Sequence, residues 1–383
     1  MSDPILILGT GLAGYTLARE LRALDREAPL TLVTADDGAF YSKPMLSTAL
    51  ARGQSPEDLA SSDAGAMAER LQARILTHTR VEAIVRGARR LESDRGPLPY
   101  GRLVLATGAT PIRPPLGGDA AGEVLSVNSL EDYRRFRERL GSGPRRVALI
   151  GPGLIGCEFA NDLRAAGHQV AVIGPDPWPI STLLPEAAGR DLQQALEAAG
   201  VAWHLGTVVE SVARAGGGYR LQLADGGTLE ADLVLSAVGL RPDTRLAEAA
   251  GLEVHRGVVT DRLLRTSDPL IYALGDCAEV EGLNLPFVAP IMQGAKALAR
   301  TLTGTPTPVR YPPMPVVIKT SLHPVVVAPP PRDARGSWQV TRLEGGVRAL
   351  FEGADGRLLG FALTGTAAAE KQALTQRLPP LLA

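Results

Sequence analysis

The sequence predicts an α/β protein with two βαβ nucleotide-binding units and a small α+β domain at its C-terminal end. The first observation is a glycine-rich turn at residues 9–14 that follows an apolar run. The second is the return of the same pattern at residues 151–156. The third is a proline-heavy stretch at residues 305–315, which separates the C-terminal segment from the rest of the chain.

The first glycine-rich turn leads into a segment with helical periodicity at residues 15–24. Gly9, Gly11 and Gly14 meet the three needs of a strand that turns tightly into a helix. These needs are a positive φ, close approach of a phosphate to the backbone, and close packing of helix on strand. Free N–H groups at the start of such a helix bind a pyrophosphate. The motif, which includes Leu12, therefore predicts a dinucleotide site.

An acidic residue is expected about 20 residues further on, where its carboxylate binds a ribose hydroxyl. Asp36 follows the next apolar run, at residues 30–34, and we assign this role to it. A lone glycine motif also occurs as a plain tight turn, but here strand, helix and acid lie in register. Since the pattern occurs twice, the chain is expected to bind two dinucleotides.

The second copy differs from the first after its second strand, at residues 169–173. Gly174 follows that strand, and the next acid is Asp176. No Arg or Lys occurs until Arg190. Because a 2′-phosphate needs a nearby arginine, this site favours NADH over NADPH.

Composition excludes several other classes of protein. The formal net charge of −1 argues against a nucleic-acid partner. No apolar run is long enough to span a membrane, and the start of the chain lacks a targeting signal, so we expect a cytoplasmic protein. Cys157 and Cys277 are expected to be buried thiols in a reducing compartment, and the five histidines have no metal-ligand spacing, so no metal site is expected.

The remaining elements divide the chain into three units. Residues 74–85 alternate in polarity and predict one strand, and residues 270–278 predict another, with Asp276 at the end where α/β sheets bind ligands. A proline-rich joint at residues 111–115 predicts a domain crossing. The predicted units are a discontinuous first domain at 1–111 and 240–313, a middle domain at 112–239 and a C-terminal domain at 314–383.

Several motifs together resemble known reductases. The chain resembles the FAD- and NAD-dependent reductases of the glutathione reductase type in GTGLAG at 9–14, LATGA at 105–109, GPGLIGCE at 151–158, SAVGLRPD at 236–243 and YALGDCA at 272–278. Within that superfamily it is similar to the rubredoxin–NAD reductases of bacterial alkane oxidation in YSKPMLS at 41–47, ILTHTRV at 75–81 and VIKT at 317–320. It is similar also to the flavorubredoxin reductases, and more loosely to ferredoxin reductases and NADH oxidases.

This resemblance implies two Rossmann-like domains, one for FAD and one for NAD, and a role for each matching residue. Thr34, Ala35 and Asp36 would hold the adenosine ribose of FAD, and Val81 would offer its backbone to the adenine. The residues implied to bind FAD are Gly9, Gly11, Leu12, Gly14, Thr34, Ala35, Asp36, Lys43, Val81, Thr107, Gly108, Asp276, Ala289 and Lys319. Those implied to bind NADH are Gly151, Gly153, Ile155, Gly156 and Glu158.

Lys43 and Glu158 are the implied catalytic residues. In related enzymes such a Lys and Glu pair near the flavin N5 and the nicotinamide, where a cation stabilises the charge left by hydride arrival. The alternatives are a solvated loop lysine and a glutamate placed in the first turn of a helix by the helix dipole.

Residues 42–46 contain no cysteine, although thiol-dependent relatives carry one or two there. The resemblance therefore implies that electrons leave directly from the flavin to a small acidic rubredoxin. Residues 314–383 carry eight Lys and Arg against five Asp and Glu, and Lys319, Arg332 and Arg335 are a candidate basic rim for docking. The alternatives are flavorubredoxin, ferredoxin or oxygen as acceptor, and an NADH-binding flavoprotein that acts as a sensor.

Overall fold

The structure is a computed structural model that describes residues 4–383. Residues 1–3, which begin the segment that we expect to lack a targeting signal, lie outside the described part. Among the helices within residues 4–383, none is both long and apolar enough to cross a membrane.

The elements of the first half begin with a βαβ unit and end at the middle sheet. The strands are β1 (Ile5–Leu8), β2 (Leu30–Val33), β3 (Phe40–Tyr41), β4 (Ala60–Ser62), β5 (Arg74–Leu76), β6 (Val81–Val85), β7 (Arg90–Ser93), β8 (Leu98–Pro99), β9 (Arg102–Leu105), β10 (Ala109–Pro111), β11 (Arg146–Ile150), β12 (Gln169–Gly174) and β13 (Val201–Leu205). The helices are α1 (Leu12–Leu24), α2 (Pro56–Leu59), α3 (Ala64–Leu71), α4 (Leu130–Leu140), α5 (Leu154–Ala165) and α6 (Glu186–Ala198).

The second half completes both parallel sheets and adds an antiparallel one. Its strands are β14 (Val209–Ala215), β15 (Gly218–Leu223), β16 (Thr228–Ala231), β17 (Leu233–Ser236), β18 (Leu240–Pro242), β19 (Val258–Thr260), β20 (Ile271–Ala273), β21 (Ala278–Val280), β22 (Val316–Ile318), β23 (Val325–Ala328), β24 (Gly336–Leu343), β25 (Gly346–Gly353) and β26 (Leu358–Thr364). Its helices are α7 (Arg245–Ala249), α8 (Val288–Leu302) and α9 (Lys371–Thr375).

Two parallel sheets position the two glycine-rich turns. The first sheet has the order β20-β9-β1-β2-β5, and the second has the order β13-β12-β11-β17. β1 is apolar and fully buried, and so is β11 after its exposed first residue, Arg146, as expected for a parallel sheet covered on both faces. Both turns therefore leave the carboxyl end of a central strand, where ligands of such sheets bind.

The C-terminal domain packs on the middle unit. Its sheet is antiparallel, with the order β22-β23-β26-β25-β24, and β25 and β26 lie against α6. Ile318, Val325 and Ala349 share one apolar core with α5 and the second sheet. The predicted fold class, two α/β units followed by a small α+β domain, is confirmed.

Two predicted strands are each divided in two. Residues 74–85 form β5 and β6, which belong to different sheets. The chain breaks at His78, whose φ is +46°, and the N–H of Thr79 bonds to the carbonyl oxygen of Thr34. Residues 270–278 form β20 and the start of β21, with a turn at Gly275 between them, where φ is +86°. In residues 74–85 the alternation of polarity continues through the turn, so that pattern does not reveal the break.

The chain crosses between the first and middle units twice, and the two crossings pair. β10 and β18 form a two-stranded antiparallel ribbon, with Pro111 opposite Leu240. The divisions at 111/112, 239/240 and 313/314 remain our proposal for the domain boundaries.

Candidate functional site

The first glycine-rich turn is built for close backbone packing and an open helix start. Gly9 has a φ of +117°, and a Cβ there would lie 2.2 Å from the carbonyl oxygen of Ala106. A Cβ on Gly14 would lie 1.9 Å from the carbonyl oxygen of Gly9. Gly11, in contrast, faces open space and begins α1 without a capping side chain from the described residues. Half-buried Leu12 follows it, so the first turn presents free N–H groups at an open surface, which suits a pyrophosphate.

The second turn repeats this arrangement. A Cβ on Gly151 would lie 2.7 Å from the carbonyl oxygen of Ala237, and one on Gly156 would lie 1.9 Å from Gly151. A Cβ on Gly153 would face open space, as a Cβ on Gly11 would in the first turn. Ile155, in the first turn of α5, is 38% exposed, which is unusual for a large apolar side chain beside a glycine motif. This turn too can hold a pyrophosphate, with Ile155 free to pack on the ligand.

The predicted ribose site lies beside the predicted adenine site. Thr34 is buried and Ala35 is exposed, and the hydroxyl of Thr34 donates to Oδ1 of Asp36 at 2.6 Å. The N–H of His78 donates to the carbonyl oxygen of Asp36, which holds the segment leading to Val81 against residues 34–36. The structure thus holds the segment that leads to Val81 against the residues that follow β2.

Lys43 lies near Asp276 at the carboxyl end of the first sheet. Burial lowers the pKa of the Lys43 ammonium, and the charge of Asp276 opposes that shift. Burial likewise raises the pKa of the Asp276 carboxyl, and Lys43 opposes that rise. Nζ of Lys43 donates to Oδ1 of Asn128 at 3.4 Å, and Nδ2 of Asn128 donates to the carbonyl oxygen of Ala109 at 2.8 Å. Asn128, which the sequence motifs do not single out, therefore orients this lysine.

Three further predicted residues border the same edge. The Thr107 hydroxyl donates to the carbonyl oxygen of Asp243 at 2.7 Å, and the N–H of Asp243 donates to Gly108. These bonds fix the loop after β9 to the second domain crossing. Ala289 is exposed in the first turn of α8, which has no capping side chain from the described residues and no acid in that turn. Its positive end is thus available to an electron-rich ligand.

Glu158 pairs with Lys319, and the expected pairing with Lys43 is wrong. The Glu158 side chain is fully buried, and both of its oxygens lie 2.7 Å from Nζ of Lys319. The N–H of Lys319 also donates to Oε1 at 2.9 Å, and the hydroxyl of Ser47 donates to Oε2 at 2.5 Å. The carboxylate therefore joins the middle unit to the C-terminal domain and to the loop that carries Lys43.

Two more polar residues on α5 hold the same two neighbours. Oδ1 of Asn161 accepts from the N–H of Leu322 at 2.9 Å. The carboxylate oxygens of Asp162 accept from the N–H groups of Leu50 and Ala51, both at 2.9 Å. Sequence motifs missed these residues, although polar side chains at i, i+3 and i+4 of an otherwise apolar helix were a signal that this face is not ordinary core.

The donor set fits two dinucleotides. Each glycine-rich turn offers backbone N–H groups and has open space at its second glycine, where a Cβ would otherwise fill the cradle. In the part of the chain that the structure describes, Cys157 and Cys277 are buried and unpaired, and burial raises the pKa of both thiols. The residues at this edge can therefore bind and orient ligands and hold charge, while neither thiol is poised as a nucleophile.

We predict opposite effects for alanine at two glycines of the second turn. Gly156→Ala should lower the melting temperature by several degrees, because its Cβ would overlap the carbonyl oxygen of Gly151. Gly153→Ala should leave the melting temperature unchanged and weaken NAD⁺ binding, because its Cβ projects into the open cradle. Thermal unfolding and calorimetric titration check both. Unchanged NAD⁺ affinity in Gly153→Ala would contradict the placement of the pyrophosphate.

A second prediction concerns the stability of the folded chain against pH. Burial raises the pKa of Asp162 to about 6 from 3.8, although two N–H groups oppose the rise. Ionisation of this carboxyl therefore favours the unfolded chain. The protonated carboxyl stabilises the folded chain; this contribution is full below about pH 4 and is lost as the pH rises through about 6. The melting temperature of Asp162→Asn relative to the unmodified protein should thus rise by a few degrees between about pH 4 and 7. Exposed Glu197→Gln is the control, and a gap that does not change with pH would contradict the assignment.

A third prediction tests the ion pair between Glu158 on α5 and Lys319 of the C-terminal domain. Lys319→Met leaves the Glu158 carboxylate buried without its counter-charge and should reduce the free energy of unfolding by about 3–5 kcal/mol. The double variant Glu158→Gln/Lys319→Met should lose clearly less, because no buried charge remains. Lys371→Met, on the surface, is the control. Additive losses in chemical unfolding would show that the two side chains do not interact.

Comparison with known proteins identifies the family. Residues 3–299 match the model of the pyridine nucleotide-disulphide oxidoreductases, and residues 308–378 match the model of the rubredoxin binding C-terminal domain. The chain is 47% identical to rubredoxin-NAD(+) reductase of Alcanivorax borkumensis, with 99% of each chain covered. It is 40% identical to nitric oxide reductase FlRd-NAD(+) reductase of Aeromonas hydrophila, with 99% and 97% covered.

A solved structure agrees in fold. The ferredoxin reductase of Rhodopseudomonas palustris superimposes with a TM-score of 0.88 and 28% identity over 99% of this chain and 96% of that one. The family model covers both parallel sheets and both glycine-rich turns described above. The chain therefore belongs to the pyridine nucleotide-disulphide oxidoreductase family.

Proposed function

We propose that this protein is an NADH-dependent flavoprotein reductase that passes electrons to rubredoxin. The observation that carries this function is the match of residues 308–378 to the rubredoxin binding domain, attached to the paired dinucleotide sites. The family implies FAD and NAD(H) as cofactors. The finer assignment of NADH is supported by the residues after β12, where no Arg or Lys occurs between Gly174 and Arg190.

The first turn would hold FAD and the second NADH. Bound FAD would accept a hydride from NADH and release the electrons singly, which is the chemistry of the cofactor itself. Gly11 and Gly153 mark the two phosphate cradles, and Asp36 keeps Oδ2 free of donors from residues 4–383, so that oxygen can accept from a ribose hydroxyl. The protein thus supplies position at both ends of the transfer.

Two positive groups lie at the carboxyl end of the first sheet. Lys43, held by Asn128, places an ammonium beside Asp276. The N-terminus of α8 adds the positive end of its helix dipole. A preorganised positive field of this kind stabilises a ligand that gains negative charge. We propose Lys43 as the catalytic cation, and Glu158 as the residue that positions Lys319 at the same site.

The basic rim that we expected on the C-terminal domain needs one change. Lys319 is held by both oxygens of Glu158 and its side chain is 29% exposed, so it is not a free docking cation. Arg332 and Arg335 are exposed in the loop before β24. We therefore propose these two arginines, without Lys319, as the residues that steer an acidic rubredoxin.

A second candidate acceptor is flavorubredoxin, because the nitric oxide reductase FlRd-NAD(+) reductase of Aeromonas hydrophila is 40% identical to this chain over nearly its whole length. The greater identity of 47% favours rubredoxin. Participation in alkane hydroxylation and a cytoplasmic location rest on the motif resemblance and on the composition of the sequence.

Rapid-mixing kinetics test the function. NADH added to the FAD-loaded protein without oxygen should bleach the flavin absorbance, and rubredoxin should be reduced faster than flavorubredoxin, ferredoxin or oxygen. The rate should fall as salt rises from about 50 to 500 mM, because screening weakens steering between exposed charges. Failure of every carrier to outpace oxygen would contradict the reductase.

Charge reversal separates the docking proposal from the function. Arg332→Glu/Arg335→Glu should slow rubredoxin reduction at low salt while bleaching by NADH is unchanged. Arg74→Glu/Arg95→Glu is the matched control, because both arginines are exposed and Arg74 lies at the N-terminal end of β5, away from the ligand edge. Equal slowing in both variants would contradict a specific rim.

A further inference from the structure

The antiparallel sheet of the C-terminal domain ends in two unlike edge strands. One edge, β22, has three residues, and Pro313, Pro315 and Lys319 lie beside it. Prolines, lysines and short length are the features that keep an edge strand from pairing with another chain. The other edge, β24, has eight residues and contains no Pro or Lys, and it pairs with β25 without a bulge. Within residues 4–383, no strand pairs with the outer side of β24.

That outer side presents a row of backbone hydrogen-bonding groups. The N–H of Val347 donates to Oγ1 of Thr364 at 2.9 Å, so it points toward β26 and away from Arg342, its neighbour on β24. Arg342 and Val347 are therefore a pair without mutual hydrogen bonds, and such pairs recur at every second residue of an antiparallel ladder. Trp338 and Val340 lie at those positions. The N–H and C=O groups of Trp338, Val340 and Arg342 thus point outward.

The side chains of the same three residues share one face of the sheet, because alternate residues of a strand do so. Val340 is 45% exposed, although its neighbour across the ladder, Ala349, is fully buried. Trp338 is half-buried, with its ring centre 5.4 Å from that of Phe351, and Arg342 is exposed. An aromatic ring, an apolar branched side chain and a cation therefore follow one another along the open edge.

We propose that β24 pairs with β24 of a second copy of this chain, antiparallel about a two-fold axis at Val340, so that the two C-terminal sheets become one. In this register Val340 lies opposite Val340 of the second copy. Trp338 lies opposite Arg342 of the second copy, where a guanidinium can pack on the indole ring. The outward-pointing residues face one another, and about six hydrogen bonds form between the strands.

This edge is complementary to itself, because each copy supplies both the ring and the cation. A shift of the register by two residues in either direction would place Arg342 opposite Gly336 or Val340 and would lose that contact. The inference goes beyond the proposed function and does not depend on it, because no residue assigned to the dinucleotide sites lies in β24.

Sedimentation equilibrium of the FAD-loaded protein tests the pairing. A single pair of strand edges buries less surface than a standard interface, so the dissociation constant should be about 1–100 μM. The mean mass should rise from that of one chain toward that of two as the protein concentration increases from about 1 to 500 μM. The mass of a single chain across this whole range would overturn the proposal.

Charge at the axis shows which edge is used. Val340→Lys places two ammonium groups opposite each other and should weaken the dimer about tenfold, because like charges directly opposite repel and the apolar pair is lost. Val317→Lys is the matched control, since Val317 is a valine of similar exposure, 46%, on the other edge strand, and it should leave the dissociation constant unchanged. Melting temperatures of both variants confirm folding. A dimer that Val317→Lys weakens and Val340→Lys does not would overturn the pairing through β24.

Cysteine cross-linking reads the register. Val340→Cys should form a disulfide between two copies under mild oxidation, because the Cα atoms of a hydrogen-bonded pair lie about 5.5 Å apart. Gln339→Cys should not, since residue 339 lies opposite Thr341 of the second copy and about 7–8 Å from its own equivalent. The native Cys157 and Cys277 are buried and do not compete. A cross-link at residue 339 without one at residue 340 would overturn the two-fold axis at Val340.

Discussion

The buried carboxylate of Glu158 is the contact on which the arrangement of the three units depends. It lies on α5 and accepts hydrogen bonds from the ammonium and the backbone N–H of Lys319 and from the hydroxyl of Ser47. A carboxylate without solvent is costly unless its oxygens are paired and hydrogen-bonded, so the fold must keep all of these donors in place. One side chain thereby fixes the C-terminal domain and the loop of Lys43 to the helix that begins at the second glycine-rich turn.

This arrangement connects structure to function without a thiol. Helix α5 begins at Gly153, where a Cβ would face open space. Two turns later the same helix carries Asn161 and Asp162, which bind the backbone of the neighbouring units. The apolar core shared by the middle unit and β22–β26 supports these polar contacts with ordinary packing. The second glycine-rich turn, the loop that carries Lys43 and the C-terminal domain are therefore held in one frame.

The sequence predicted what depends on short-range pattern. Both glycine-rich turns, both parallel strand pairs and the acid at Asp36 are local signals, because glycine spacing and strand periodicity act within one βαβ unit. The pairing of Glu158 was predicted wrongly, because Lys319 lies 161 residues further along the chain and no local pattern reveals that contact. The break at His78 was missed for another reason, since a single residue with positive φ leaves the alternation of polarity intact.

The most direct measurement is a crystal structure of the FAD-loaded protein soaked with NAD⁺. We expect one dinucleotide at each glycine-rich turn, with Lys319 still paired to Glu158. An NAD⁺ molecule bound away from the Gly151 turn, or Lys319 turned away from Glu158, would contradict this expectation.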